Sequence, residues 1–367
     1  MILNSLSILN YRNIYESKLV FSQNINCFVG SNGMGKSNVL DAIYYLSFCR
    51  GFANSLDSQN VNHEAEYFFL EGTYLTDSEC IQHVACSLKR GARKRLKIDG
   101  KDVKRLSEHV GRIPLVMIAP ADSALITGGS EERRRFMDTV IMQYSVPYLE
   151  ALIRYEHALK QRNALLKQEE MPDAAVMDVL EEMMSLSAAV IYEERRLFVE
   201  EFQPIFLNLY RQLSNNPSEN VSLAYTSHGE RGDLYPQLRD WREKEHIVGY
   251  TLHGVHKDDL DLSLNGFSIK REGSQGQQKT YFIALKLSQY LFLRTKGEKR
   301  VPLLLLDDIF DKLDEHRVGK IIDFVSKNEF GQIFITDTNR NHIDRVLEST
   351  QRDYKIFEVT NGEIKEA

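Results

Sequence analysis

Gly30-Ser31-Asn32-Gly33-Met34-Gly35-Lys36-Ser37 has the spacing G-x-x-x-x-G-K-[ST], and its flanks decide how it folds. Upstream, Ile25-Asn26-Cys27-Phe28-Val29 is a short, largely apolar run with the character of a buried strand. Downstream, the stretch from Asn38 to Leu46 sets Val39, Ile43 and Leu46 on one side of a helix. Strand, glycine loop and helix in that order make a phosphate-binding loop rather than a chance turn. The glycines let successive amide N–H groups of Gly30 through Gly35 point at a β-phosphate. The helix N-terminus at Ser37 and Asn38 adds partial positive charge. Lys36 then reaches the β- and γ-phosphates, and the Ser37 hydroxyl is a Mg²⁺ ligand. The expectation is a nucleoside triphosphate site on an α/β sheet.

Such a site needs acids from another strand. Leu303-Leu304-Leu305-Leu306-Asp307-Asp308 supplies them. An apolar run suits a parallel strand buried on both faces, and its carboxyl end is where ligands bind in open α/β sheets. Asp307 is assigned to Mg²⁺, and Asp308 to orienting or deprotonating the attacking water. Further upstream, Gly273-Ser274-Gln275-Gly276-Gln277 precedes a helix over residues 278–293. Ser274 is a good N-cap and Gly276 permits close backbone approach; by themselves these residues describe a capped helix.

The chain has 367 residues, 43% of them hydrophobic, enough for a substantial core over two lobes. No run approaches the roughly 18 apolar residues of a membrane span. The N-terminus lacks a basic region followed by a sustained apolar stretch, so no secretory signal is expected. Cys27, Cys49, Cys80 and Cys86 form no CxxC pair and no metal spacing. A reduced, cytoplasmic location is the expectation. Net charge is −6, so any surface for nucleic acid must be local.

Along the chain, residues 1–120 are strand-rich. Leu3, Leu6, Ile8 and Leu9 open a strand, residues 67–74 and 81–88 read as two more, and Asp99-Gly100 is a hairpin turn. Residues 121–279 carry mainly helical periodicity. Leu149, Leu152, Tyr155 and Leu159 mark one helix. Val179, Met183, Leu186, Val190, Leu197 and Phe202 mark another, after a break at Met171-Pro172-Asp173. Strand character returns at residues 221–225 and 260–264, and residues 280–367 alternate strand and helix. The organisation expected is one α/β ATPase lobe built from residues 1–120 and 280–367. Residues 121–279 form an inserted, mainly helical lobe that carries Ser274 near its end.

Between Lys89 and Arg105 lie Lys89, Arg90, Arg93, Lys94, Arg95, Lys97, Lys101, Lys104 and Arg105, against Asp99 and Asp102. On a hairpin they form a positive stripe. Two readings stand: phosphate contacts to DNA, led by Lys89, Arg90, Arg93, Lys94, Arg95 and Lys97, or an edge kept soluble by its lysines. No aromatic interleaving or groove-reading helix accompanies the stripe, so DNA contacts here would be to the backbone. Arg133-Arg134-Arg135 is either a second patch or a helix start with exposed arginines.

In order, the P-loop, the Gly273–Gln277 segment, the acidic strand and Asp311-Lys312-Leu313-Asp314 resemble the P-loop, signature, acidic strand and D-loop of ATP-binding-cassette (ABC) ATPases. In that family the signature closes on the γ-phosphate bound by a second subunit. The resemblance therefore implies an ATP-dependent homodimer, with Ser274, Gly276 and Gln277 facing the partner's nucleotide. Within that superfamily the chain is similar, over nearly its whole length, to the RecF family, relatives of SMC and Rad50 ATPase heads. Leu9-Asn10-Tyr11-Arg12-Asn13 resembles its N-terminal motif. Ile118-Ala119-Pro120-Ala121-Asp122, with Gly128 and Arg134-Arg135-Phe136-Met137-Asp138, resembles its internal block. His253-Gly254-Val255-His256-Lys257-Asp258-Asp259 resembles its Gly-Pro-His-Arg-Asp-Asp element, from which Val255 and Lys257 depart.

The resemblance implies a P-loop ABC-ATPase head, a mixed sheet with helices, plus the inserted lobe. Its function would be ATP-dependent DNA binding in recombinational repair and replication restart. The dimer would bind single-stranded and duplex DNA, junctions or gaps above all, and help RecO and RecR load RecA. Hydrolysis would be weak and DNA-dependent. The alternatives are a transporter ATPase and a nucleotide-gated clamp with negligible hydrolysis. Transporter ATPases carry a glutamate where this chain has Asp308, and a histidine where it has Thr336-Asp337-Thr338. The helical segment is too short for the coiled-coil arms of Rad50 and SMC.

Overall fold

The computed structural model describes residues 1–52, 56–76, 80–214, 216, 218–296, 301–309, 318–320, 324, 330–348 and 352–367. Two compact units divide the chain: Met1–Asp122 with Gln289–Ala367, and Ser123–Ser288.

The first unit opens with β1 (Ile2–Tyr11), β2 (Ile14–Val20) and β3 (Ile25–Val29), followed by α1 (Lys36–Phe48). After α1 come β4 (Tyr67–Leu75), β5 (Ile81–Lys89), β6 (Arg95–Ile98), β7 (Lys101–Asp102) and β8 (Leu115–Ile118). Six of these strands form an antiparallel sheet in the order β2-β1-β4-β5-β6-β7. Its inward positions alternate, as buried Leu6 and Ile8 of β1 show, and a register shift between Leu3 and Ser5 lets Leu3 be buried out of that phase. The β6–β7 turn holds Asp99 at φ 49° and Gly100 at φ 76°, the left-handed pair that a two-residue hairpin demands.

The second unit contains α2 (Ala124–Thr127), α3 (Ser130–Ile141), α4 (Val146–Leu165) and α5 (Ala174–Leu213). It continues with β9 (Val221–Thr226), α6 (Leu234–Val248), β10 (Asp259–Leu264), β11 (Phe267–Ser268) and α7 (Ile269–Glu272). The strands pair in the order β11-β10-β9. Asp173 starts α5 by accepting from the amides of Ala175 and Val176, at 2.8 and 3.2 Å. The buried face of α5 includes Met177, Leu180, Met184, Ile191, Phe198 and Phe202. The apolar row that marks this helix in the sequence is, apart from Phe202, a different face: Val179 and Leu186 are 60% and 69% exposed. Two fully buried arginines tie the unit together. Arg162 reaches Glu181 at 2.9 Å and Glu245 at 2.5 Å, and Arg195 reaches Asp138 and Asp258 at 2.8 Å each. Removing one member of such a group would leave a buried charge unpaired, at a cost of about 3–5 kcal/mol.

Helix α8 (Gln275–Lys296) begins in the second unit and ends in the first. The first unit then completes its core with β12 (Leu303–Asp307), β13 (Ile333–Asp337), a helix at Arg340–Glu348, β14 (Tyr354–Thr360) and β15 (Glu363–Glu366). The central sheet runs β15-β14-β3-β13-β12-β8. All its pairings are parallel except β14 with β15. Thus β3, from the start of the chain, lies between two strands from its end. Buried Gln332 links this sheet to β1: its Oε1 accepts from the Leu3 amide and its Nε2 donates to the Leu3 carbonyl, each at 2.8 Å.

Candidate nucleotide site

The parallel register decides what meets at the carboxyl ends of the central strands. Asp307 of β12 lies opposite Thr336 of β13, and Asp337 of β13 opposite Val29 of β3. Residues far apart in sequence therefore converge on the loop that follows Val29.

That loop is a tight turn that glycine alone fits. A Cβ on Gly30 would lie 2.3 Å from the carbonyl oxygen of Val359. Gly35, which caps α1, has φ 111°. The helix begins at Lys36, so the first orphan amides of α1 open onto the loop. The loop is braced from outside, because the Met34 carbonyl accepts from Asn13 Nδ2 at 3.1 Å and from the Gly362 amide at 2.8 Å. Asn38 is held in the same lattice, accepting from Arg12 at 3.0 Å and donating to Asn13 Oδ1 at 2.7 Å. Arg12 is anchored by Asp41 at 2.8 Å. Asp41, itself buried, also accepts from the Tyr11 hydroxyl at 2.5 Å.

Lys36 is 3% exposed, and its ammonium donates to the carbonyls of Gly30 and Ser31 at 2.8 and 3.1 Å. Among the described residues no carboxylate pairs with it. A buried ammonium satisfied only by neutral carbonyls is complementary to an anion. Ser37 Oγ donates to Asp307 Oδ1 at 2.8 Å. A hydroxyl and a carboxylate oxygen side by side are the hard oxygen donors that suit Mg²⁺. Thr336 Oγ1 donates to the same Asp307 oxygen at 2.7 Å and accepts from the Asp308 amide at 3.0 Å. Asp308 sits at φ 43°, a left-handed conformation uncommon outside glycine. Lys36, Ser37 and Asp307 thus lie together, with the Asp308 backbone fixed beside them.

In the second unit, Ser274 and Gln277 cap α8 reciprocally. The Ser274 amide donates to Gln277 Oε1 at 2.8 Å, and the Gln277 amide donates to Ser274 Oγ at 3.2 Å. Gln277 Nε2 also donates to Glu219 at 2.8 Å, and the Gly276 carbonyl accepts from Thr280 Oγ1 at 3.0 Å. Ser274 itself is exposed. The segment Asp311-Lys312-Leu313-Asp314 lies outside the described residues.

The basic stripe divides in two. Arg90 bonds the carbonyls of Ala65, Ser58, Val61 and Asn62 at 3.1–3.2 Å, fastening β5 to the preceding loop. Lys94 is bound to Asp57 at 2.6 Å and to the Cys49 carbonyl at 2.5 Å. These bonds give Arg90 and Lys94 a structural role in the hairpin. Lys89 pairs with Glu66 at 3.1 Å on an exposed surface. Arg93, Arg95 and Lys97 are exposed and have no carboxylate partner among the described residues. They continue a surface whose open cleft, about 440 Å³, is lined by Lys89, Arg90, Arg93, Lys94 and Lys104.

Arg133 and Arg134 are not a surface patch. Arg133 holds Asp259 through two bonds of 2.6 and 2.8 Å, and Arg134 donates to the Asp258 carbonyl at 2.6 Å. The His253–Asp259 element is a structural hub. Asp258 accepts from Arg195, Tyr225 and Ser227 at 2.8, 2.5 and 2.6 Å. Burial pushes its carboxyl above the usual range, against the pull of Arg195.

Sequence reasoning did not single out Asp41 or Gly362, and gave no role to the hydroxyl of Thr336. An acid one turn beyond Ser37 in an otherwise apolar helix was the available signal for Asp41. Asn361-Gly362 is a hairpin turn signal, but nothing in the local sequence marks its contact with Met34 or the role of the Thr336 hydroxyl.

The model of the RecF/RecN/SMC N terminal domain matches residues 2–365. A protein of Phocaeicola vulgatus named DNA replication and repair protein RecF is 53% identical, over 100% of this chain and 98% of its own length. A solved structure described as the recombination mediator protein RecF-ATP in the RecFOR pathway is similar with a TM-score of 0.89. It is 28% identical and covers 100% of this chain and 97% of that one. An Smc head bound to the C-winged helix domain of ScpA, 15% identical with a TM-score of 0.61 over 100% of this chain and 97% of that one, shares the fold.

Proposed function

The chain belongs to the RecF family of ABC-type ATPases, and from that premise we propose that it is an ATP-driven DNA-binding protein of recombinational repair and replication restart. The observation that carries this reading is the convergence of Lys36, Ser37, Asp307 and Thr336 at the ends of three strands.

Lys36 exchanges two loop carbonyls for the β- and γ-phosphates. Ser37 and Asp307 would hold Mg²⁺, which would supply charge neutralisation at the phosphates. Asp308 accepts the proton of the attacking water at its carboxylate. Its short side chain and left-handed backbone, in place of the glutamate of transporter ATPases, fit slow turnover. Ser274, Gly276 and Gln277 meet the γ-phosphate held by a second copy, so that ATP closes a homodimer. Arg93, Arg95 and Lys97, with Lys89 and the adjoining Lys101, Lys104 and Arg105, supply backbone contacts to single-stranded and duplex DNA, gaps and junctions included. The structural relative described as part of the RecFOR pathway supports cooperation with RecO and RecR in loading RecA. The setting is the cytoplasm. No helix among the described residues is long and apolar enough to cross a membrane.

The test is Asp308→Asn with ATP, Mg²⁺ and gapped DNA. ATP should stay bound while DNA-stimulated hydrolysis slows on the order of 10²-fold, and the DNA complex should last longer. Hydrolysis at the wild-type rate would place the base elsewhere. A wild-type protein without single-turnover hydrolysis would be a nucleotide-gated clamp.

A further inference from the structure

Helix α5 has two apolar faces, and the fold buries one. The other carries Val176, Val179, Met183, Leu186, Val190 and Leu197. Their spacing alternates three and four residues, and Glu193 fills the step before Leu197, which is the repeat of a coiled-coil seam. Val176, Val179, Leu186 and Leu197 are 49%, 60%, 69% and 39% exposed. At 1.5 Å per residue the row is about 32 Å long. Single exposed apolar side chains are ordinary, whereas a contiguous row marks an interaction surface.

The charges beside the seam identify its occupant. Glu182, Glu194 and Glu201 flank it, Glu193 and Glu200 continue its register, and the only bases between residues 174 and 201 are Arg195 and Arg196. Arg195 is buried, and Arg196 is engaged by Glu193 and Glu200. A second copy laid along the seam would bring glutamates against glutamates, which is unfavourable. A helix with an apolar heptad seam and lysine or arginine flanks meets both the shape and the charge. We propose that this face of α5 docks an amphipathic, basic-flanked helix of a partner protein. Six side chains make a small interface, suited to transient association. The nucleotide site plays no part in this assignment.

The probe is a synthetic three-heptad peptide with leucine along its seam and lysine on its flanks, titrated by fluorescence anisotropy against the full chain without nucleotide. The control peptide has glutamate in place of lysine. The lysine peptide should bind and the glutamate peptide should not, and added salt should weaken binding. Val179→Glu with Leu186→Glu, both at exposed positions, should lower affinity by about tenfold or more. Unchanged ATP binding would show that the double variant is folded. Equal binding of the two peptides, or equal binding to wild type and variant, would overturn the proposal. So would nucleotide-independent dimerisation of wild type that the double variant abolishes, because the occupant would then be a second copy.

Discussion

One hydroxyl bonds both acids proposed for the nucleotide site, Asp307 through its carboxylate and Asp308 through its amide. Thr336 Oγ1 donates to the Asp307 oxygen that also accepts from Ser37, and it accepts from the Asp308 amide, which the Thr336 carbonyl holds as well at 3.2 Å. Thr336→Val keeps the volume and removes both hydroxyl bonds. Hydrogen bonds to charged groups contribute about 1.5–3 kcal/mol, so the Mg²⁺ concentration for half-maximal hydrolysis should rise at least tenfold while ATP still binds. Thr336→Ser should restore it, and an unaltered Mg²⁺ requirement in the valine variant would remove the threonine from this role. Lys36→Met should weaken ATP binding by a similar free energy, measured by calorimetry; unchanged affinity would displace the phosphates from Gly30–Ser37. Spacing alone identifies Lys36 and Ser37, because strand, loop and helix are local. Asp307 is legible as the end of an apolar strand. Thr336 is not, because the register of β12 on β13 places it and no local pattern encodes register.

Among the elements, α5 shows how far periodicity reaches. It marks the helix but cannot say which of two apolar faces is inside; α4 and α6 settle that by packing on α5. The basic hairpin shows the same limit. Charge counting finds the stripe, yet Arg90 is fixed by backbone carbonyls that loop geometry alone brings near. The His253–Asp259 element makes a pH prediction. Burial pushes His256 down to about 4, and its ring nitrogens are held by Tyr155 and the Thr251 carbonyl. An unfolded histidine titrates near 6.5, so between about pH 6.5 and 4 the unfolded chain binds a proton that the folded chain refuses. Stability is therefore complete above about pH 6.5 and falls with acidification, by up to about 3 kcal/mol from this group. Urea titrations at pH 7 and pH 5 should show a loss in wild type that is smaller in His256→Gln. Equal losses in both would assign the acid sensitivity to other groups.

For the whole molecule, the sheet that carries the P-loop is closed by strands from the far end of the chain, with β3 between β13 and β14. DNA binding belongs to this scale. Replacing Arg93, Arg95 and Lys97 by glutamine should flatten the log–log salt dependence on duplex by about 0.9 for each phosphate no longer neutralised. An unaltered slope would return the hairpin to a solubilised edge. The central claim is that ATP joins two copies through Ser274, a residue in neither the P-loop nor the acidic strand. Sedimentation velocity of wild type and Ser274→Arg, each with ATP and Mg²⁺, tests it most directly. Wild type should shift to a dimer while Ser274→Arg stays monomeric and binds ATP with wild-type affinity. A Ser274→Arg protein that dimerises like wild type would contradict the account.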